Sequence, residues 1–154
     1  RSIDGVQAFH KLRTRRMGEK VLVEAHVLVG NYVTVSEGHM ISDRVRAKLL
    51  DNFDSISEVL IHIDPEDDAV ERPSSNLPGR TEILRTLNEN WAPLEAAADI
   101  ERINLHYLQG KIDVEVILPM DLAGDAENAR AVGDEISGRA KQSEHIGKVA
   151  VYFH

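Results

Sequence analysis

Cysteine is absent from the 154 residues. That excludes disulfides and thiolate metal sites, so a transition-metal site would have to be assembled from His, Asp, Glu and water. Such donors suit zinc first, and also manganese, iron, cobalt or nickel. No apolar run approaches the ~20 residues of a membrane helix. The longest, such as Val27-Leu28-Val29 and Val59-Leu60-Ile61, have strand length. No charged-then-apolar secretory pattern is read either, and the fragment is expected to be soluble, without direct membrane insertion. Basic residues are the minority, 18 Lys and Arg against 26 Asp and Glu, for a net charge of −8. No nucleic-acid partner is expected, because neutralising phosphates takes a basic face. The acidity serves solubility, and its negative field also concentrates cations.

The sequence is organised as two halves. Residues 65–79, PEDDAVERPSSNLPG, are rich in proline and acidic residues and lack an apolar period. The expected domains are 1–66 and 80–154, joined by a linker over 67–79. In the first half, residues 5–16 and 21–29 read as a hairpin around Met17-Gly18-Glu19. A helix is expected from Ser36 as N-cap, with Ile41, Val45 and Leu49 at helical spacing. Residues 58–64 read as a strand closed by Pro65. The second half repeats the order: a helix over 81–98 broken near Pro93, a hairpin around Gln109-Gly110, a helix over 126–141 and a strand over 148–154. Lys20-Val21-Leu22-Val23-Glu24 matches Lys111-Ile112-Asp113-Val114-Glu115, and Asp43 matches Asp134.

The fold class is therefore α+β: two tandem α-β-β-α-β units related to the ferredoxin-like pattern, with helices packed on small three-stranded sheets. The first unit lacks its opening helix, which suggests a chain cut from something longer.

Seven histidines are present. Alternation puts Val21, Val23, Ala25, Val27 and Val29 on one face of their strand and Glu24 with His26 on the other. On the next strand, His62 and Asp64 share a side opposite Val59, Ile61 and Ile63. His39 is expected in the first helical turn, where the helix dipole favours a neutral, metal-binding imidazole. His10 adds a fourth imidazole from the first hairpin strand. Each of these residues, taken singly, also reads as an ordinary surface or capping residue, and Asp64 as a turn-starting aspartate.

GVQAFHKLRTRRMGEKVLVEAHVLV, SEGHMISDRV and VLIHIDPE, in that order, resemble the cytoplasmic domain of the cation diffusion facilitator (cation efflux) family over about residues 5–66. Members export zinc and related divalent cations in exchange for protons, and work as homodimers. The resemblance implies a metal site at the domain interface built from His10, His26, His62 and Asp64, with His39 reaching across from the partner. It implies a homodimer through the first unit and a membrane-spanning part of the same transporter, with the domain on the cytoplasmic side of the inner membrane. Arg13 and Arg15 are implied to help lock the dimer to that membrane part. Metal filling the interface would close the pair and favour export. In the second unit the matching positions are Ile117, Arg130, Tyr152 and His154, with His10 falling near Asn104. The fold is expected to persist there without the ligands.

Rival readings are a purely structural dimerisation domain, a free-standing metal chaperone, and a metallohydrolase with Glu24 as base. The last is not expected, since the sequence offers no nucleophile–base pair and no phosphate loop.

Overall fold

The computed structural model describes residues 2–67 and 74–154. The chain divides into two compact units, Arg1–Glu71 and Arg72–His154. Of the expected linker, residues 68–73 lie outside the described part. On either side of them, Asp67 contacts His10, and the Tyr107 hydroxyl donates to the Pro78 carbonyl.

The first unit runs β1 (Ala8–Met17), β2 (Lys20–Leu28), α1 (Val35–Asn52) and β3 (Ile56–Asp64). β2 is the central strand, antiparallel to β1 and parallel to β3. Helix α1 makes the crossover that a parallel pair requires. The valine-rich alternation of β2 decides which face carries the helix. Val23, Ala25, Val27 and Val29 are buried, and Ile41 and Val45 of α1 close over the last two. Each side chain of that size contributes about 1.5–3 kcal/mol when fully buried. Gly5 lets the segment before β1 approach the helix: its φ is +85°, and a β-carbon there would lie 2.6 Å from Ile41 Cδ1.

The helix starts earlier than its sequence suggests. Thr34, not Ser36, is the N-cap, and its hydroxyl accepts from the Glu37 amide at 3.2 Å. Thr34-Val35-Ser36-Glu37 has the residue types of a capping box, which explains the preference. His39 is thus the fifth helical residue and lies beyond the first turn, where the dipole acts.

β1 carries a bulge. His10 is opposite His26, whereas Arg13 is opposite Glu24, so β1 holds one residue more than β2 between these pairs. The extra residue is accommodated by Lys11 at φ +49°. In regular pairing from Arg13, Lys11 would face His26, and His10 would face Val27 on the helix side. The bulge turns His10 onto the open face, together with Arg13 and Arg15.

The second unit repeats this topology with α2 (Arg80–Trp91), β4 (Arg102–Leu108), β5 (Lys111–Leu118), α3 (Ala126–Ala140) and β6 (Ile146–Phe153), sheet order β4-β5-β6. Helix α2 stops at Trp91 before Pro93, and a short 3₁₀ turn (Glu95–Asp99) follows. The β4–β5 hairpin turns on Gln109 and Gly110, both at positive φ (+53° and +68°), as a two-residue hairpin of the tighter twist requires. Here two helices cover the sheet, and Ile83, Leu87, Trp91, Ile112, Val116 and Ile136 are buried together. The Trp91 indole donates to the Ile136 carbonyl at 3.0 Å.

Register tests the internal repeat. His26 pairs with His62, and Ile117 pairs with Tyr152. Thr34 and Asp125 are both N-caps, which aligns His39 with Arg130. One equivalence differs. Arg13 and Asn104 both pair with the glutamate of the central strand, while the residue opposite Ile117 is Arg102. Arg102, rather than Asn104, occupies the His10 position. The architecture is α+β, two α-β-β-α-β units of ferredoxin-like type, and the described residues before β1 contain no opening helix.

Candidate metal centre

The open face of the first sheet gathers residues from all three strands. Side-by-side pairing sets His10, His26 and His62 in one row across β1, β2 and β3. Two residues farther along β3, Asp64 sits where the ladder ends. One of its carboxylate oxygens, Oδ2, receives two imidazoles: His26 Nδ1 at 2.7 Å and His10 Nε2 at 2.9 Å. The His10 and His26 rings meet edge to face, 85° apart. Asp64 and both rings are half-buried.

The second nitrogen of His10, Nδ1, lies 3.0 Å from Asp67 Oδ1. Ionised carboxylates only accept, so with both contacts made the ring is the imidazolium. Desolvation lowers the His10 pKa, but hydrogen bonds to Asp64 and Asp67 and their negative charges outweigh it, and the net position is above the ordinary 6.5.

Within this unit His10, His26 and Asp64 each offer a ligand atom, all within 4.8 Å of one another. Two imidazoles and a carboxylate form a common zinc-type donor set with one position left for a further ligand. The crossed planes of His10 and His26 suit a shared ion, since an imidazole lone pair lies in its ring plane. The residues therefore fit a divalent cation.

Glu24, His26 and His62 form a second group within the same distance. It is less well prepared. His26 and His62 stack 4.5 Å apart at 13°, and nearly parallel rings do not direct lone pairs to one point. His62 would have to turn. Its Nε2 is 3.5 Å from Glu24 Oε1, and its side chain is 43% exposed.

His39 is not brought to this cluster within the chain. Its side chain is 78% exposed and faces Asp43, one turn on, at 3.5 Å. Arg13 and Arg15 stand exposed on the ligand-bearing face, beside Glu24, Glu58 and Leu60. Asp67 is the cluster member the sequence hid. It falls inside a stretch whose composition reads as linker, and only the fold shows that the chain turns back after Pro65. In the second unit the row is Arg102, Ile117 and Tyr152, which offers no imidazole.

Residues 1–66 match the family described as cation efflux protein, cytoplasmic domain. Metal tolerance protein C1 of Arabidopsis thaliana is 28% identical over 129 residues, covering 77% of this chain and 27% of that protein. That span exceeds the first unit and takes in part of the second. The cation-efflux pump FieF of Escherichia coli is 34% identical over 61 residues, 40% of this chain and 20% of the pump. The chain thus spans about a quarter or less of the length of these relatives. A solved structure of a MamM CTD variant in its manganese form has a TM-score of 0.40 and 23% identity, covering 42% of this chain and 81% of that one. Among the described residues, no helix is long and apolar enough to cross a membrane.

Proposed function

The first unit of this chain belongs to the cation efflux family as its cytoplasmic domain, and on that premise we propose that the chain is the metal-responsive dimerisation module of a proton-coupled divalent-cation exporter. The observation that carries the reading is the convergence of His10 and His26, from two strands, on one oxygen of Asp64 from a third. His10, His26 and Asp64 would hold one ion. His62, turned from its stack, would help to hold a second, together with Asp64 and His39 of the other copy. Zinc is the first candidate, with manganese, iron, cobalt and nickel allowed by the same donors.

When bound, metal supplies coordinate bonds across the dimer interface and cancels carboxylate charge there. The residues of this chain do the rest. β2 and β3 hold His26 and Asp64 in fixed register, the bulge presents His10, and exposed His39 is free to reach a neighbour. Closure of the pair favours export only to the extent that the closed state binds metal more tightly. The module works on the cytoplasmic side of the inner membrane, attached to the membrane-spanning part of its transporter, and has no catalytic role.

The test is zinc titration by calorimetry with small-angle scattering on the same samples. Binding with compaction of a dimer is expected, and His26→Ala or Asp64→Ala removes most of both. Absence of binding and of compaction overturns the sensing role. A purely structural dimerisation domain is the second reading. Exposed Met17 and Leu60 on the same sheet face, beside Arg13 and Arg15, favour it, because they can pair copies without metal. Dimerisation unchanged by chelator and by His26→Ala would select it.

A further inference from the structure

We propose that Asp67 is a positioning residue of the metal site, which fixes the ring of His10 so that Nε2 is the atom offered to the ion. The inference rests on the reading of His10, His26 and Asp64 as ligands.

The geometry has three parts. β3 ends at Asp64, Pro65 cannot extend the ladder, and the chain bends through Pro65 and Glu66. The bend brings the carboxylate of Asp67 to the far nitrogen of His10, 3.0 Å from Nδ1, while Nε2 points at Asp64. The His10 side chain is only 17% exposed, so water has little room to replace either partner.

An imidazole that binds metal through one nitrogen keeps a proton on the other, and the acceptor of that proton selects the tautomer and the ring orientation. Asp67 is placed to be that acceptor. His26 presents Nδ1 to the same Asp64 oxygen, so the two rings use opposite nitrogens. His10 therefore needs a cue that His26 does not share. Without Asp67, the ring of His10 is free to flip and to offer Nδ1, which lies nearer the backbone of the bulged strand. In the pattern Asp64-Pro65-Glu66-Asp67, the first carboxylate would thus hold the ion and the last one holds the ligand His10.

The test uses the full chain. Zinc affinity is measured by competition with a chromophoric chelator for the wild type, Asp67→Ala, Asp67→Asn, His26→Ala and Asp64→Ala, with circular dichroism to confirm folding. Asp67→Ala is expected to weaken binding about 10–100-fold, the usual effect of removing such a partner. Asp67→Asn keeps a carbonyl acceptor without the charge and is expected to recover most of that loss. In zinc-loaded protein, long-range nitrogen–proton NMR should find His10 protonated at Nδ1 in the wild type and in Asp67→Asn, and a mixture in Asp67→Ala.

Wild-type affinity in Asp67→Ala, with His26→Ala and Asp64→Ala strongly impaired, overturns the positioning role and leaves the metal site standing. An Asp67→Asn as weak as Asp67→Ala, with the His10 tautomer unchanged in both, assigns Asp67 to long-range charge and also overturns it. If His26→Ala and Asp64→Ala bind as the wild type, the site itself fails and the proposal falls with it.

Discussion

His26 and Asp64 stand on neighbouring parallel strands, and Nδ1 of the first lies 2.7 Å from Oδ2 of the second. The contact is diagonal: His26 pairs directly with His62, and Asp64 pairs with Leu28. Asp64 therefore leans back along the sheet to meet the imidazole row, and it does so from the end of the ladder, where no further strand residue competes.

That arrangement makes Asp64 the most sensitive member of the cluster. Asp64→Ala leaves His10 and His26 without their common acceptor. Hydrogen bonds to charged groups contribute about 1.5–3 kcal/mol. Loss of about 1–2 kcal/mol of metal-free stability is expected by urea denaturation, along with loss of zinc binding. A metal-free midpoint equal to the wild type, with an unchanged slope, would contradict the shared-acceptor geometry.

The raised pKa of His10 sets a pH dependence with two opposite signs. In metal-free protein the imidazolium favours the folded state. That stabilisation is full below the ordinary value of 6.5 and is lost as pH rises through the folded pKa. Metal competes with the Nε2 proton, so zinc affinity climbs over the same interval. Calorimetry in buffers of different ionisation heat should show proton release on binding that is full below the ordinary value of 6.5 and declines as pH rises through the raised His10 pKa. In His10→Gln this part of the release should vanish; equal release in that variant would contradict the assignment.

Lys11 holds a backbone conformation that costs an L-residue about 1–2 kcal/mol and costs glycine almost nothing. Lys11→Gly should raise stability by about 1 kcal/mol and leave zinc affinity unchanged. Deleting Lys11 removes the extra residue, so regular pairing from Arg13 still sets His10 opposite His26 on the open face, and zinc affinity should be largely retained. A folded deletion variant that loses zinc binding would show that the bulge itself, beyond the register, aims His10.

The two units have separate cores, and the chain's one tryptophan lies in the second. Trp91→Phe removes the indole bond to Ile136 and should cost about 1–2 kcal/mol in that unit. Thermal melts followed by circular dichroism should show the second unit melting earlier, while zinc binding at 25 °C is retained. Loss of zinc binding in a folded Trp91→Phe protein would mean that the second unit supports the site.

Much of the fold was legible because it is written in periodicity. Alternation along residues 21–29 correctly divided Val23, Ala25 and Val27 from Glu24 and His26. The same rule placed His62 and Asp64 opposite Val59 and Ile61. What escaped is what periodicity does not encode. A bulge adds a residue without a mark in the sequence, since Lys11 is not a glycine, so the register that sets Arg102 rather than Asn104 in the His10 position was not legible. Ser36 and Thr34 are both capping residues, and only the reach of the Thr34 hydroxyl to Glu37 decides between them. Asp67 was hidden by the polar composition around it, because a turn back onto the sheet leaves no apolar signature.

The row His10, His26 and His62 gives the sheet the character of a ruler. Neighbouring strands are graduated at about 4.8 Å. A tetrahedral zinc ion with bonds of about 2.0–2.1 Å asks for donors only about 3.3 Å apart. The backbone is therefore marked wider than the ion it would measure, and the imidazoles must lean inwards to close the difference. Larger cations ask for less lean. The sheet spacing tolerates a range of ionic radii at this face, and discrimination among metals falls to the side chains that supply the remaining coordination.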